Sequence, residues 1–364
     1  MYNFVLLPLL IAFLISLIFT FPTIKIANYF KLIDDPAKRK HPASIHKNPI
    51  PRAGGIPIFM GILLASLAFL HVEKIFLSMI FAGFIVVIVG IVDDRFDLSP
   101  YLRFVLNILC ATVVVFSGID IPFVTNPFGG ILYFNQIDLI MGNFLFLPKI
   151  LAVFWIVWVM NMLNWSKGVD GQMPGIAAVS AVIIGIASLR FSVLEPMNIA
   201  SSTMSFIVAG SALGFLVFNF HPAKIHPGYS STILGFTIGI LSILSGVKLA
   251  TAVLVMGVPM IDAVLTILRR ILSKKSPFWH DKEHLHHLLL DLGWSQRTIA
   301  VFYWTMSIVL GFISLSLSSK GKLFAIILVT ICVTGFIFTL RFIMKTRNGP
   351  VKPSFLNNLK KREN

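Results

Sequence analysis

Apolar residues in this chain come in long blocks separated by short polar stretches. A helix needs about 20 predominantly apolar residues to cross a bilayer core. Windows of that kind recur near 3–24, 55–72, 76–92, 101–117, 148–163, 174–190, 199–219, 231–246, 248–268, 298–317 and 322–344. The pattern predicts an all-α polytopic integral membrane protein with about eleven transmembrane helices. The two windows on either side of Ser245-Gly246 are the short ones. No basic leader precedes the first window and its apolar run is long, so it reads as a span and not as a cleavable signal. Between the fourth and fifth windows, I-P-F-V-T-N-P-F-G-G-I-L-Y-F places two short β-type runs around Gly129-Gly130, which predicts a small extracytoplasmic hairpin.

Composition supports this reading: 57% of residues are hydrophobic and 12% charged, and the mean hydropathy is +0.88. An ordinary soluble globule needs far more surface charge. Residues 1–344 read as one transmembrane domain and 345–364 as a basic cytoplasmic tail. Cys110 and Cys332 both fall inside expected spans, so no disulfide framework is indicated.

The net charge of +15 sets orientation. With the N-terminus outside, 22 lysines and arginines fall in inner segments and 6 in outer ones, which the positive-inside rule favours. The N-terminus is therefore expected outside and the C-terminus in the cytoplasm of a bacterial cell, with the chain in the inner membrane. The basic excess then reflects topology and attraction to anionic lipid, with no nucleic-acid partner required. On this topology the polar clusters at 31–54, 93–100, 161–173, 219–230 and 269–297 all open on the cytoplasmic face, where they can build one site.

In G-I-V-D-D-R-F-D-L-S-P, Asp93 and Asp94 stand side by side at the inner end of a span. Adjacent carboxylates that are only partly hydrated demand a cation, and a hard divalent ion is the usual partner; the bland alternative is a solvated helix end. H-K-N-P-I-P-R-A-G-G offers Lys47 and Arg52 to a phosphate beside a backbone that permits close approach. In N-M-L-N-W-S-K-G-V-D-G, Asn161, Asn164, Lys167, Gly168 and Asp170 crowd together where an apolar run stops. Asp262 lies about two turns inside a span, where a carboxylate is costly; function and structural pairing with Arg269 are equal contenders. His284, His286 and His287, close to Arg269, Arg270, Lys274 and Lys275, fit donors to a pyrophosphate or sugar better than a zinc site, since no cysteine is near.

These stretches, together with D-P-x-x-R-K-H, G-V-P-M-I-D and S-P-F-x-x-D-K-E-H-L-H-H-L-L-L, resemble in order the polyprenyl-phosphate N-acetylhexosamine-1-phosphate transferases, from about residue 30 to residue 297. The H-L-H-H form resembles the branch that uses UDP-GlcNAc. The resemblance implies that an inner-leaflet polyprenyl (undecaprenyl) phosphate attacks the sugar-linked phosphorus of a UDP-sugar, giving polyprenyl-diphospho-sugar and UMP for cell-envelope glycans. It implies Asp93, Asp94 and Asp170 as catalytic residues, and Mg²⁺ or Mn²⁺ held by Asp93, Asp94 and Asn164. Lys47, Arg52, Asn161, Asn164, Lys167, Gly168, Asn219, Asp262, His284, His286 and His287 would bind substrate. The oligomeric state stays open, a homodimer being one arrangement.

Two positions depart from the family pattern. Lys167 stands where members usually carry aspartate, and Tyr229, in H-P-G-Y-S-S-T, takes the slot of a second aspartate taken to bind the metal. Replacing aspartate by lysine changes the local charge by two, worth about 4 kcal/mol per interacting pair at 4 Å and a dielectric near 20. Alternatives at this level are a phospho-MurNAc-pentapeptide transferase, a catalytically impaired lipid- or nucleotide-binding paralogue, and a membrane transporter. Against the transporter, the carboxylates gather at one face and no internal repeat is evident.

Overall fold

The computed structural model describes residues 2–36, 48–71, 73–126, 128–142, 146–190, 196–245, 249–279 and 281–347. A π-helical turn, Tyr2–Leu6, leads into α1 (Leu7–Tyr29). Two-residue strands β1 (Ile33–Asp34) and β2 (Ile50–Pro51) then pair antiparallel. Helices α2 (Gly55–Phe69), α3 (Lys74–Phe96) and α4 (Pro100–Val115) follow. Strands β3 (Phe123–Thr125) and β4 (Ile131–Tyr133) form an antiparallel hairpin across Gly129 and Gly130, both at positive φ. The remaining helices are α5 (Phe134–Ile140), α6 (Leu147–Trp165), α7 (Gln172–Arg190), α8 (Pro196–Asn219), α9 (Thr232–Leu244), α10 (Leu249–Val255), α11 (Gly257–Leu272), α12 (Leu285–Asp291), α13 (Gln296–Ser316) and α14 (Ser319–Arg347).

Over the described residues each apolar window read from the sequence is helical, the 248–268 window being divided between α10 and α11. Among the described residues seven are long and apolar enough to cross a membrane, and α10 with α11, bent by 85° at their junction, makes an eighth if counted as one span. Helices α2, α4 and α9 are apolar but shorter. This is a multi-pass membrane protein. The Ser245-Gly246 break is only partly described, as Gly246 lies outside the described residues; so do Lys47 and the tail beyond residue 347.

Helix α8 packs against α1, α2 and α7. Gly210 and Gly214 of α8 touch the α1 backbone at Leu9 and Phe13, where any Cβ would collide. Small residues let helix backbones approach closely in lipid, where packing replaces the hydrophobic drive. The opposite face of α1 exposes Leu10, Leu14, Ile18 and Phe21, a surface suited to acyl chains. Helix α9 is different. Its residues from Thr232 to Ser242 are all buried between α6, α3, α7 and α8, so it carries the preceding 220–231 loop into the centre of the molecule. Trp155 Nε1 donates to Ser242 Oγ at 2.7 Å, tying α6 to α9.

Candidate active site

The acidic pair lies at the end of α3, where the chain turns because Asp97 adopts a left-handed φ of 54° and Pro100 starts α4. Both carboxylates are buried, Asp93 at 1% and Asp94 at 7% exposure, which corrects the expectation of partly hydrated groups. Their cations come from the protein. Arg103, in the first turn of α4, donates to Asp93 Oδ1 and Oδ2 at 3.2 and 3.1 Å. Arg52 Nε stands 3.1 Å from Asp94 Oδ1. Arg52 is brought there by the small β1–β2 sheet and by its own N–H, which donates to Leu32 O. Burial opposes the Arg52 charge, but Asp94, Asp34, Asp93 and Asp97 outweigh it and hold its pKa above the usual value.

The loop before α9 closes over this pair. Tyr229 N donates to Asp94 Oδ1 at 2.8 Å and Ser230 Oγ to Oδ2 at 3.3 Å. Gly228 adopts φ +66° and touches the Asp94 carboxylate, so a side chain there is excluded twice over. Lys167 Nζ donates to Gly228 O at 3.0 Å and sits 5.7 Å from the Tyr229 ring centre; Arg103 lies over that ring at 4.9 Å. The Tyr229 hydroxyl accepts from Asn107 Nδ2 at 3.0 Å, and burial pushes it up to about 12. Burial, then the Arg52 charge, pushes Lys167 down to about 7, with Asp94 and Asp93 pulling the other way. An anion arriving beside it favours its protonated form.

The rest of the 161–171 cluster divides. Asn161 Nδ2 donates back to Val157 O in its own helix. Asn164 Oδ1 is buried with no hydrogen-bond partner. Asp170 reaches the 219–225 loop: its Oδ2 is 2.7 Å from His221 Nδ1 and accepts from Ala223 N at 3.2 Å. Asn219 Oδ1 accepts from Gly171 N at 3.0 Å, and its Nδ2 donates to Ile225 O at 2.9 Å. These two residues therefore fasten the 166–171 turn to the 219–225 loop.

Gly168 meets the histidines. Its Cα lies so close to the His286 ring that any Cβ would strike the imidazole. His284 Nδ1 is 2.8 Å from Asp262 Oδ2, and Leu285 N donates to Asp262 Oδ1 at 2.9 Å. Asp262 thus serves the histidine segment and not Arg269, whose guanidinium is engaged by Asp281 and Glu283. Arg269 and Arg270 instead grip Asp281 at 2.7 and 3.0 Å, and Arg269 also holds Glu283 at 2.8 Å. They brace the 276–284 loop instead of standing ready as free cations. The rings of His284 and His286 stack 5.6 Å apart, and His286 and His287 lie 4.3 Å apart. Burial first, then the neighbouring histidines, lowers His286 well below the usual imidazole value. Burial, His284 and Lys282 take His287 down to about 4.

A family model described as glycosyl transferase family 4 matches residues 76–246. The chain is 32% identical over 308 residues to a Bacillus subtilis protein named "Probable undecaprenyl-phosphate N-acetylglucosaminyl 1-phosphate transferase", covering 81% of each chain. The chain belongs to the polyprenyl-phosphate N-acetylhexosamine-1-phosphate transferase family. It is also 29% identical to the decaprenyl-phosphate N-acetylglucosaminephosphotransferase of Mycobacterium leprae, over 85% of this chain and 83% of the relative. The undecaprenyl-phosphate alpha-N-acetylglucosaminyl 1-phosphate transferase of Haemophilus influenzae is 30% identical over 75% of each.

For this transferase-family chain, the structure brings Arg52, Asp93, Asp94, Lys167 and Gly168 together, and reaches Asp262, His284, His286 and His287 through the Gly168–His286 contact. Asp170 and Asn219 share a neighbouring corner. Reading the sequence as topology alone missed Arg103 and Asn107 as members of the site. Their signal was an arginine and an asparagine four residues apart in an apolar window, which puts both on one helix face.

The donor set does not fit a divalent ion. Such an ion takes about six oxygens, but Asp93 and Asp94 already face guanidinium groups and Lys167 stands over the same corner. Among the described residues no group of three or more His, Cys, Asp or Glu side chains is disposed to hold a metal. Of the expected ligands only Asn164 keeps a buried oxygen unsatisfied, since Asp93 and Asp94 are taken up by Arg103 and Arg52.

Proposed function

We propose that this protein transfers N-acetylglucosamine 1-phosphate from UDP-GlcNAc to polyprenyl phosphate, giving polyprenyl-diphospho-GlcNAc and UMP. The observation that carries this reading is a groove of about 770 Å³ between α4 and α6, lined by Phe104, Ile108, Val153, Phe154, Val157 and Trp158. It extends from Phe116 and Lys149 to Asn161, Trp165 and Phe278. Arg103 lies at the same end of α4, next to Phe104 in sequence, with its guanidinium on Asp93. A polyprenyl tail needs such an apolar trough and a cation at its mouth. The names of the relatives, all N-acetylglucosaminyl phosphate transferases, support this sugar over a MurNAc-pentapeptide.

In the reaction, an oxygen of the acceptor phosphate forms a bond to the sugar-linked phosphorus, and the bridging oxygen leaves with UMP. Several phosphate charges converge, so fixed cations aimed at them lower the barrier. Arg103, oriented by Asp93, meets the acceptor phosphate. Asp94 positions Arg52, and Lys47 joins it at the diphosphate. The histidines, held by Asp262, and Gly168 bound the sugar side, with His286 and His287 kept neutral at pH 7. Asn161, Asn164, Asp170 and Asn219 shape the nucleotide side.

Residues 1–344 act as one transferase domain with eleven crossings of the inner membrane, N-terminus outside, the β3–β4 hairpin extracytoplasmic and the site cytoplasmic. Charge bias supports this arrangement. The test is turnover by purified protein in nanodiscs containing undecaprenyl phosphate, given UDP-GlcNAc, with lipid-linked GlcNAc and UMP both measured. A protein that binds both substrates and turns over neither is a catalytically impaired binding paralogue.

A further inference from the structure

We infer that the diphosphate of the sugar nucleotide is held by Lys167 with Arg52, without a divalent cation. This rests on the donor proposed above and deepens it.

The cluster contains three cations and two carboxylates. Asp93 is matched by Arg103 and Asp94 by Arg52, each at 3.1 Å, while the Lys167 ammonium is held by a neutral carbonyl and, among the described residues, by no carboxylate at contact distance. Its ammonium is aimed by Gly228 O at 3.0 Å and keeps partial exposure, whereas the two carboxylates are buried. Tyr229 reinforces the arrangement. Its ring is flanked by Lys167 at 5.7 Å and Arg103 at 4.9 Å, and its hydroxyl is taken by Asn107. A neutral phenol so engaged offers no anionic oxygen to a metal, while its π-face steadies both cations. The two positions that depart from the family pattern, 62 residues apart in the chain, are therefore neighbours in one electropositive corner. A divalent ion there would have to approach the like charge of Lys167, Arg52 and Arg103, whereas a diphosphate meets the Lys167 ammonium with opposite charge.

The experiment is calorimetric titration of UDP-GlcNAc into detergent-solubilised protein in EDTA and in Mg²⁺, with uridine as the phosphate-free control. The expected result is a Kd in EDTA within about threefold of that in Mg²⁺. A charge-assisted hydrogen bond is worth about 1.5–3 kcal/mol, so Lys167→Ala should weaken UDP-GlcNAc about 10- to 100-fold. Uridine affinity should stay the same, and Lys167→Arg should retain most of the UDP-GlcNAc affinity. Inorganic pyrophosphate should compete in EDTA. Binding that requires Mg²⁺ overturns the inference and leaves the donor assignment standing. Equal Kd values for wild type and a folded Lys167→Ala also overturn it. No binding of UDP-GlcNAc in either buffer overturns the donor assignment itself. The wild-type comparison of EDTA with Mg²⁺ needs no variant, so it decides even if Lys167→Ala fails to fold.

Discussion

Arg52→Met isolates the charge pairing at the centre of the site. The side chains of Arg52 and Asp94 are 8% and 0% exposed and lie 3.1 Å apart, so methionine fills the space and strands a carboxylate away from water. Breaking a buried pair from one side costs about 3–5 kcal/mol. Asp94 keeps the Tyr229 N–H at 2.8 Å and the Ser230 hydroxyl at 3.3 Å, which places the expected loss near the lower end, about 3 kcal/mol. Adding Asp94→Asn removes the stranded charge and keeps an acceptor for Tyr229 N–H. The double variant should therefore recover at least half of the loss, a non-additive result. Unfolding in detergent can be followed by thiol labelling of Cys110, which is buried in α4, in a Cys332→Ser background that removes the exposed thiol. A cost below about 1 kcal/mol for Arg52→Met, typical of surface pairs, or strict additivity in the double variant, would refute the assignment of Arg52 as the counter-ion of Asp94.

Four further outcomes follow from the geometry. Gly168→Ala drives a methyl into the His286 ring and should cut turnover at least about tenfold, equivalent to a loss of about 1.4 kcal/mol in the barrier, while Gly293→Ala, whose Cβ would meet nothing within 4 Å, serves as a control for helix-end strain. His287 titrates near 4 when folded against 6.5 in its unperturbed state, so the unfolded chain takes up the proton first: stability is full above pH 6.5, falls between 6.5 and 4, and then levels off. That slope amounts to about 2–3 kcal/mol and should shrink in His287→Gln when melting is followed from pH 7 to 4. Val157→Trp in the groove should weaken polyprenyl phosphate binding and leave UDP-GlcNAc affinity unchanged, as read by separate titrations of lipid and nucleotide. A cysteine placed at Ser166 or Ser276 should resist an impermeant thiol reagent applied to intact cells; labelling from outside would refute a shared cytoplasmic site.

The positions of the membrane helices were legible in the chain because apolar block length is a local property: over the described residues the windows from 3–24 to 322–344 are helical, although 248–268 is broken into α10 and α11. The chemistry of single stretches was legible for the same reason. Two adjacent aspartates need a cation once they leave water, and three histidines in four residues must share an environment. Which groups meet was decided by the tertiary structure. Asp93 and Asp94 could have drawn a metal, water or any of many arginines; the turn at Asp97 and the β1–β2 pairing selected Arg103 and Arg52. Asp262 had Arg269 nearby in sequence, yet that arginine pairs with Asp281 and Glu283 and the returning 281–285 segment supplied His284 instead. The juxtaposition of Lys167 with Tyr229 had no local signal at all, because it exists only after α9 is driven into the centre by burial on every side. Apolar length is a sum over neighbours along the chain, whereas an ion pair depends on a distance across it, and that distance is set by the packing of every helix between.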